Sequence, residues 1–426
     1  MELPTQNAPL AHTLSKLALK TRGLALALAF APVLIVVLAL ALRLYGINWD
    51  QGGLFHPDER AILFHVNDMR WPSLSNLDVL LDAEKSPLNP RWFPYGSLPL
   101  YAVKVVEATI SPFKDLTFQD LRSVGRGLSA LSDVGTVIFV FLLATRLYSR
   151  RVGILASLLA ALAVVHIQLS HFYAVDTYLT FFVVASVYFM ARVMQKGGLG
   201  NSLLAGAFIG LALASKISVA PLFLAFVVAH AIYAFSGQGE RLALPRPSRA
   251  SIVRNLILGG MASVAVFFIT TPYAFLDWYR PEPCDVPYSF LRFLDRNYFA
   301  CDIGAQYDMA RGTSGLPFTQ QYLDTTPYWY YIKQLALFGL GLPLGVVAWA
   351  SVVFTVGLAI ARRNKGDLLI LAWVLPYFLL TGQLQVKFLR YMLPITPFLI
   401  IMGSRMLLGI RDWIAEHRPH QTALAH

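Results

Sequence analysis

His56-Pro57-Asp58-Glu59 sets two adjacent carboxylates just beyond an apolar run, Leu24 to Leu44. A run of that length, at about 1.5 Å per residue, crosses a hydrocarbon core of about 30 Å. Acids at such a place cost solvation energy unless they sit in a wet cleft. There a carboxylate can take the proton of an attacking hydroxyl as a general base. Neighbouring residues do not share a helix face, so the two acids have different tasks. One of Asp58 and Glu59 points into a cleft and the other braces the loop. A purely structural role is compatible with this one: both acids suit the first turn of a helix over Ala61–Val66.

A second acid, Asp176, opens a later apolar run in His166-Ile-Gln-Leu-Ser-His171-Phe-Tyr-Ala-Val-Asp176. It either caps that helix or faces Asp58 across a cleft. His166, His171 and Asp176 could together hold a divalent ion, although a spacing of five and ten residues is poor for ligands on one helix. No other metal or cofactor is suggested. Asp133, inside a further run, reads as a packing group bonded to a neighbouring helix or to Arg126.

Cations at the same level complete the set. Lys216 lies between two apolar runs, and Lys387 and Arg390 precede the last one in Gln385-Val-Lys-Phe-Leu-Arg-Tyr391. A lipid phosphate needs such groups, and Arg can grip it with two parallel bonds. Arg60, Lys85 and Arg91 are weaker candidates of the same kind. Snorkelling of a long side chain to the interface is the structural alternative for each.

These residues must be positioned by a membrane-embedded scaffold. The chain of 426 residues is 56% hydrophobic and 14% charged, with mean hydropathy +0.56. That composition specifies an all-α polytopic membrane protein. Spans are expected at 24–44, 126–146, 152–169, 174–193, 201–215, 217–235, 255–272, 334–360, 368–382 and 392–410. Basic residues cluster in alternate connections: at Lys16, Lys20 and Arg22, at Arg146–Arg151, at Arg192 and Lys196, at Arg241–Arg254, at Arg362–Lys365 and at Arg405–Arg418. About ten spans with both termini inside put all of these clusters on one side, as the positive-inside rule requires. The net charge of +11 is therefore a topology signal and not the mark of a nucleic-acid partner. Residues 97–110 are apolar but carry Lys104 and Glu107, so they read as a helix lying on the outer interface.

The expected organisation is one integral membrane domain over 1–426. It has inner tails at 1–23 and 411–426 and two large outer loops at 45–125 and 273–332. Residues 236–251 are the one linker-like stretch, on the inner side. Cys284 and Cys301 both fall in the second outer loop. Outside the cell they can bridge, which would stabilise the loop by about 3 kcal/mol.

The order of these pieces resembles the glycosyltransferase C superfold, most closely the protein O-mannosyltransferase-like family that includes the lipid A aminoarabinose transferases. The resemblance rests on HPDER in the first loop, FPYGSLPLY, and RGLSALSDVGTVIFVFLLATRLYSRR. It continues through HFYAVDTYLTFF, GLALASK and RYMLP, over roughly 24–410. In the aminoarabinose transferases the Arg follows the acid pair after one intervening residue, whereas Arg60 here is adjacent. The large C-terminal outer domain of some relatives has no counterpart. The resemblance implies inverting transfer of a sugar from a polyprenyl phosphate carrier to a lipid, glycan or protein acceptor, with Asp58 as the base, Glu59 as the support of its loop, and Arg390 with Lys216 on the leaving phosphate. The reaction would take place on the outer face of the cell (plasma or inner) membrane, among membrane lipids. A polymerase of lipid-linked glycans, a transporter or flippase, and a membrane scaffold are the competing classes.

Overall fold

The computed structural model describes residues 29–235, 248–285 and 289–417. Residues 24–28 of the first run, the basic residues Lys16, Lys20, Arg22, Arg241, Arg246 and Arg418, and most of the 236–251 linker lie outside them. Among the described residues the secondary structure is helical, with no strand. The first half comprises α1 (Ala29–Leu44), α2 (Pro57–Asp68), α3 (Leu98–Ile110), α4 (Phe118–Leu147), α5 (Arg150–Leu162), α6 (Val164–Ser170), α7 (Val175–Lys196) and α8 (Leu199–Leu213). The second half comprises α9 (Leu222–Phe235), α10 (Arg249–Thr270), α11 (Tyr273–Leu276), α12 (Tyr298–Arg311), α13 (Trp329–Gln334), α14 (Leu342–Arg362), α15 (Lys365–Gly382) and α16 (Thr396–His417).

Seven of the described helical segments are long and apolar enough to cross a bilayer, or eight if α5 and α6 count as one bent span. The other two expected spans fall on the shorter apolar helices α1 and α8. Residues 97–110 form α3, as expected, and α3 packs on α2 and α4.

Three spans differ from their expected form. The one at 152–169 is broken at Ala163 and bends by 55°. The one at 334–360 starts late, because the chain makes a π turn over Leu335–Gly339 and passes Gly341 at φ 77° before α14 begins. The one at 126–146 starts early, because Thr117 and Asp120 form a capping box that launches α4 at Phe118.

Two cores hold the molecule. The larger lies between α4, α5, α7, α9, α15 and α16 and includes Val137, Leu179, Val183, Trp373 and Phe398. Small residues bring helices together: a Cβ on Gly206 of α8 would meet the Gly259 carbonyl oxygen of α10 at 1.9 Å. The smaller core belongs to the two long loops, expected to be outer, and joins Ile62, Phe93, Val103, Tyr173 and Tyr273.

The break at Ala163 is met by a polar side chain. Arg43, fully buried on α1, donates to the Ala160 and Ala161 carbonyls at the end of α5, where Ala160 also accepts from the Ala163 N–H. Its Nε meets Asp133 Oδ2 at 2.6 Å, and His166 Nδ1 lies 2.6 Å from Asp133 Oδ1. The partners of Asp133 are thus Arg43 and His166 on neighbouring helices, one of the two expected arrangements, and Arg126, the other, is engaged elsewhere.

Removing one member of a buried charged pair strands the other, at about 3–5 kcal/mol. Arg43→Ala is therefore expected to lower the thermal unfolding midpoint in detergent strongly. Arg43→Met combined with Asp133→Asn should recover most of the loss. A single Arg43→Ala that melts like the wild type would remove the triad from the fold's support.

Candidate active site

The site is assembled at the end of the bundle opposite the Arg146–Arg151 turn. Its foundation is Arg126 of α4, buried with 1% exposure. The guanidinium donates to Glu59 Oε1 and Oε2, each at 2.7 Å, and to Asp50 Oδ1 and Oδ2 at 2.9 and 2.7 Å. Arg122, one turn earlier on α4, adds a bond to Asp50 Oδ1 at 2.9 Å and one to Asn48 Oδ1 at 2.6 Å. Burial alone would raise the Asp50 carboxyl. The hydrogen bond from Arg126, with backbone N–H groups of Gly52 and Leu54, outweighs burial and holds it at about 2.

Glu59 is fully buried and also accepts from the Tyr173 N–H at 2.9 Å, just before α7. It therefore ties α2 to α4 and to the segment that leads into Asp176. His56 caps α2, its Nδ1 accepting from the Glu59 N–H at 3.4 Å, and its ring lies against Phe172. Burial pushes the His56 imidazole below its ordinary range, a change that Asp58 opposes.

Held in this way, Asp58 and Asp176 come together on one guanidinium. Arg390 Nη2 lies 2.9 Å from Asp58 Oδ2, and its Nε lies 3.9 Å from Asp176 Oδ2. Lys216 donates to Asp176 Oδ1 at 3.1 Å and stands 4.4 Å from the Tyr391 ring centroid. The Arg390 guanidinium lies 4.2 Å from the Phe388 ring centroid. The first outer loop reaches this cluster through Gly96, which bonds to the Ser215 carbonyl; a Cβ there would strike the Ala214 oxygen at 1.9 Å.

A cavity of about 210 Å³ adjoins the cluster. Lys216, Tyr377 and Tyr391 face it from the bundle, and Ile303, Met309 and Ala310 from α12. The disulfide between Cys284 and Cys301 forms, and it fixes the start of α12. Asp302, the next residue, accepts from the Phe93 N–H at 2.6 Å, so the second outer loop is locked onto the first. Burial pushes the Asp302 carboxyl up despite that bond.

Several sequence candidates stand elsewhere. Lys387 is buried, its ammonium turned to Thr325 Oγ1 and to the Gln385 carbonyl, and burial pushes it below its ordinary range. Arg60 is exposed on α2. Lys85 pairs with Asp82, and Arg91 bonds to the Glu84 carbonyl. The metal set His166, His171 and Asp176 is not formed. His166 belongs to the Arg43–Asp133 triad, and both ring nitrogens of His171 lie on backbone carbonyls, of Ile167 and Tyr45. Among the described residues no three His, Cys, Asp or Glu side chains converge as a metal would need.

The sequence reading missed Asp50, Arg122 and Arg126. The signal available was Arg122 and Arg126 four residues apart on one helix face, opposite an acid in the polar turn Gly46–Asp50.

Residues 108–281 match the family "Dolichyl-phosphate-mannose-protein mannosyltransferase". Among solved structures, the Archaeoglobus fulgidus oligosaccharyltransferase, crystallised with Zn and sulfate, aligns at 17% identity and TM-score 0.56. The alignment covers 91% of this chain and 50% of that one. The chain has the glycosyltransferase C fold. A structure of the same archaeal enzyme, AglB, with an inhibitory peptide and a dolichol-phosphate, aligns at 14% identity and TM-score 0.55, covering 94% and 52%. ArnT from Cupriavidus metallidurans, bound to undecaprenyl phosphate, aligns at 16% identity and TM-score 0.46, covering 85% and 63%. The chain thus spans about half the length of the oligosaccharyltransferase it matches. No curated protein matches it in sequence.

The low value at Asp50 has a sign that can be tested. A carboxyl depressed from 3.8 to about 2 adds stability that is fully present above pH 3.8 and is lost as pH falls toward 2. The shift corresponds to about 2 kcal/mol. Proteolysis of the first outer loop should therefore rise across that window in the wild type. In Asp50→Asn the loop should be open already at pH 5, with a smaller change below it. Identical profiles for the two proteins would show that Asp50 does not fasten the loop.

Proposed function

We propose that this chain is a glycosyltransferase that moves a sugar from a polyprenyl phosphate to an acceptor hydroxyl or phosphate, with inversion. One observation carries the reading: Asp58 and Asp176, from separate helices, meet Arg390 and Lys216 beside a largely apolar cavity at one end of the bundle. The family match over 108–281 and the dolichol-phosphate named for one structural neighbour support it.

The chemistry needs a base for the acceptor and positive charge for the leaving lipid phosphate. The acceptor oxygen attacks the anomeric carbon, its proton passes to Asp58, and the electron pair of the breaking C–O bond goes to the phosphate. The phosphate gains a unit of negative charge as it leaves, which Arg390 and Lys216 are placed to stabilise. Arg390 engages Asp58, so an arriving phosphate competes for the guanidinium and frees the carboxylate. Asp176 holds Lys216 in place, and Glu59, wholly engaged with Arg126 and Tyr173, supports the loop.

The sided distribution of basic turns supports an inner location for Arg146–Arg151, with the site on the outer face of the cell membrane. The two outer loops then form the acceptor side of a single domain.

Three outcomes test the proposal. With a labelled polyprenyl-phosphate sugar, Asp58→Asn should lose about 10²–10⁴-fold in turnover while donor binding persists, whereas Glu59→Gln should lose less. Wild-type turnover in Asp58→Asn would move the base elsewhere, with Asp176 next in line. Arg390→Ala should weaken donor use severely and Arg390→Lys should restore part of it, because lysine lacks the two-pronged grip. An Arg390→Ala enzyme as fast as the wild type would leave Arg390 as an interface anchor. In intact cells a cysteine at Gln51 should react with an impermeant thiol reagent, and one at Ser149 should not. The reverse pattern would invert the topology.

A further inference from the structure

We infer that Arg390 occupies the position at which a divalent cation would bridge Asp58 and Asp176, so that this site carries its positive charge covalently and works without a bound metal. Two carboxylates from different elements, the first turns of α2 and α7, converge on the one guanidinium at 2.9 and 3.9 Å. In a metal site that gap is where the ion would lie, with carboxylate oxygens at about 2.0–2.6 Å.

Charge balance argues against an ion joining the guanidinium. Asp58 and Asp176 supply two negative charges, and Arg390 and Lys216 supply two positive ones. A divalent ion would meet a neutral cluster whose cations lie within 4 Å of the same oxygens. Arg390 is also anchored, by the Phe388 face at 4.2 Å and by the tight turn over Leu389–Ile395.

The facing atoms retain the character of a bridging site. Asp176 Oδ2 and Arg390 Nε are both buried, and neither has a hydrogen-bond partner. They face each other across 3.9 Å, joined by charge and not by a directed hydrogen bond. Of the histidines near the two acids in sequence, His166 is committed to Asp133 and His171 to two carbonyls, while His56 caps α2, its Nδ1 accepting from the Glu59 N–H.

The consequence for turnover rests on the transferase reading, but metal binding can be measured without any substrate. Full-length protein in detergent is titrated with Mn²⁺ and followed by electron paramagnetic resonance. The wild type should take up no Mn²⁺ at the site. Arg390→Ala should bind one ion at least about tenfold more tightly, because it leaves two carboxylates around an empty gap. Arg390→Ala with Asp176→Asn should lose that ion, and Arg390→Lys should behave as the wild type. Size-exclusion profiles verify that each variant is folded.

Where transfer is observed, chelation with EDTA should leave the wild-type rate unchanged. One tight Mn²⁺ in the wild type, a rate abolished by EDTA, or an Arg390→Ala protein that stays metal-free would each overturn the inference. If no donor sugar is transferred, the transferase reading fails while the Mn²⁺ titration still decides this one.

Discussion

The grip of Arg126 on Asp50 and Glu59 is the constraint from which the rest of the site follows. One guanidinium, placed near the outer end of a long helix, binds two carboxylates through four charge-assisted bonds. A charge buried at that depth is costly unless its hydrogen-bonding capacity is filled, and here it is. The remaining Arg126 contact, to the Ile47 carbonyl at 2.8 Å, extends the grip to the turn that leaves the membrane. The first outer loop is thereby registered against α4, and Glu59 carries the same register to Tyr173 and the start of α7. Asp58 and Asp176 face each other because their neighbours Glu59 and Tyr173 share a hydrogen bond.

The second outer loop is coupled by different means. Its disulfide shortens the free chain before α12, and the Asp302–Phe93 bond joins α12 to the first loop. The apolar wall of the cavity, Ile303 to Ala310, is consequently as well fixed as the charged wall. A protein whose active groups come from α2, α7, the turn after α8 and the turn before α16 needs such couplings. Helix packing in a bilayer alone sets axial distances through small residues and leaves the loops free.

Much of this was legible in the sequence because hydrocarbon length and charge sidedness are long-range signals that need no coordinates. Each expected span overlaps a described helix, and of the two readings open for Cys284 and Cys301 the bridged one is found. What stayed hidden was pairing. Asp133 and Arg126 lie seven residues apart on one helix and look like partners, yet Arg43 claims Asp133 and Glu59 claims Arg126. Sequence spacing does not report which helix packs across a gap. The break at Ala163 was equally invisible: no Pro or Gly marks it, and its carbonyls are satisfied by a side chain 117 and 118 residues away. Lys387 looked like a phosphate ligand because of its level in the membrane, but direction decided against it.

Arg126, Arg43 and Arg390 each meet carboxylates, and the completeness of their bonding distinguishes the first two from the third. Around Arg126, both oxygens of Glu59 and both of Asp50 accept hydrogen bonds. Around Arg43, each Asp133 oxygen has a partner, and the guanidinium fills the broken helix end. Such groups gain nothing from a further ligand, and moving them would strand a charge in low dielectric. Arg390 differs in each respect. Its side chain and that of Asp58 remain about 15% exposed, its Nε lacks a partner, and so does the Asp176 oxygen facing it. An assembly left short of hydrogen bonds has capacity for an incoming anion, and the exchange of one anionic partner for another costs little charge separation. The same chain therefore uses one interaction, arginine with carboxylate, in two regimes. Saturated, it fixes the loops; unsaturated, it leaves the cation and the carboxylate that the proposed donor phosphate would part.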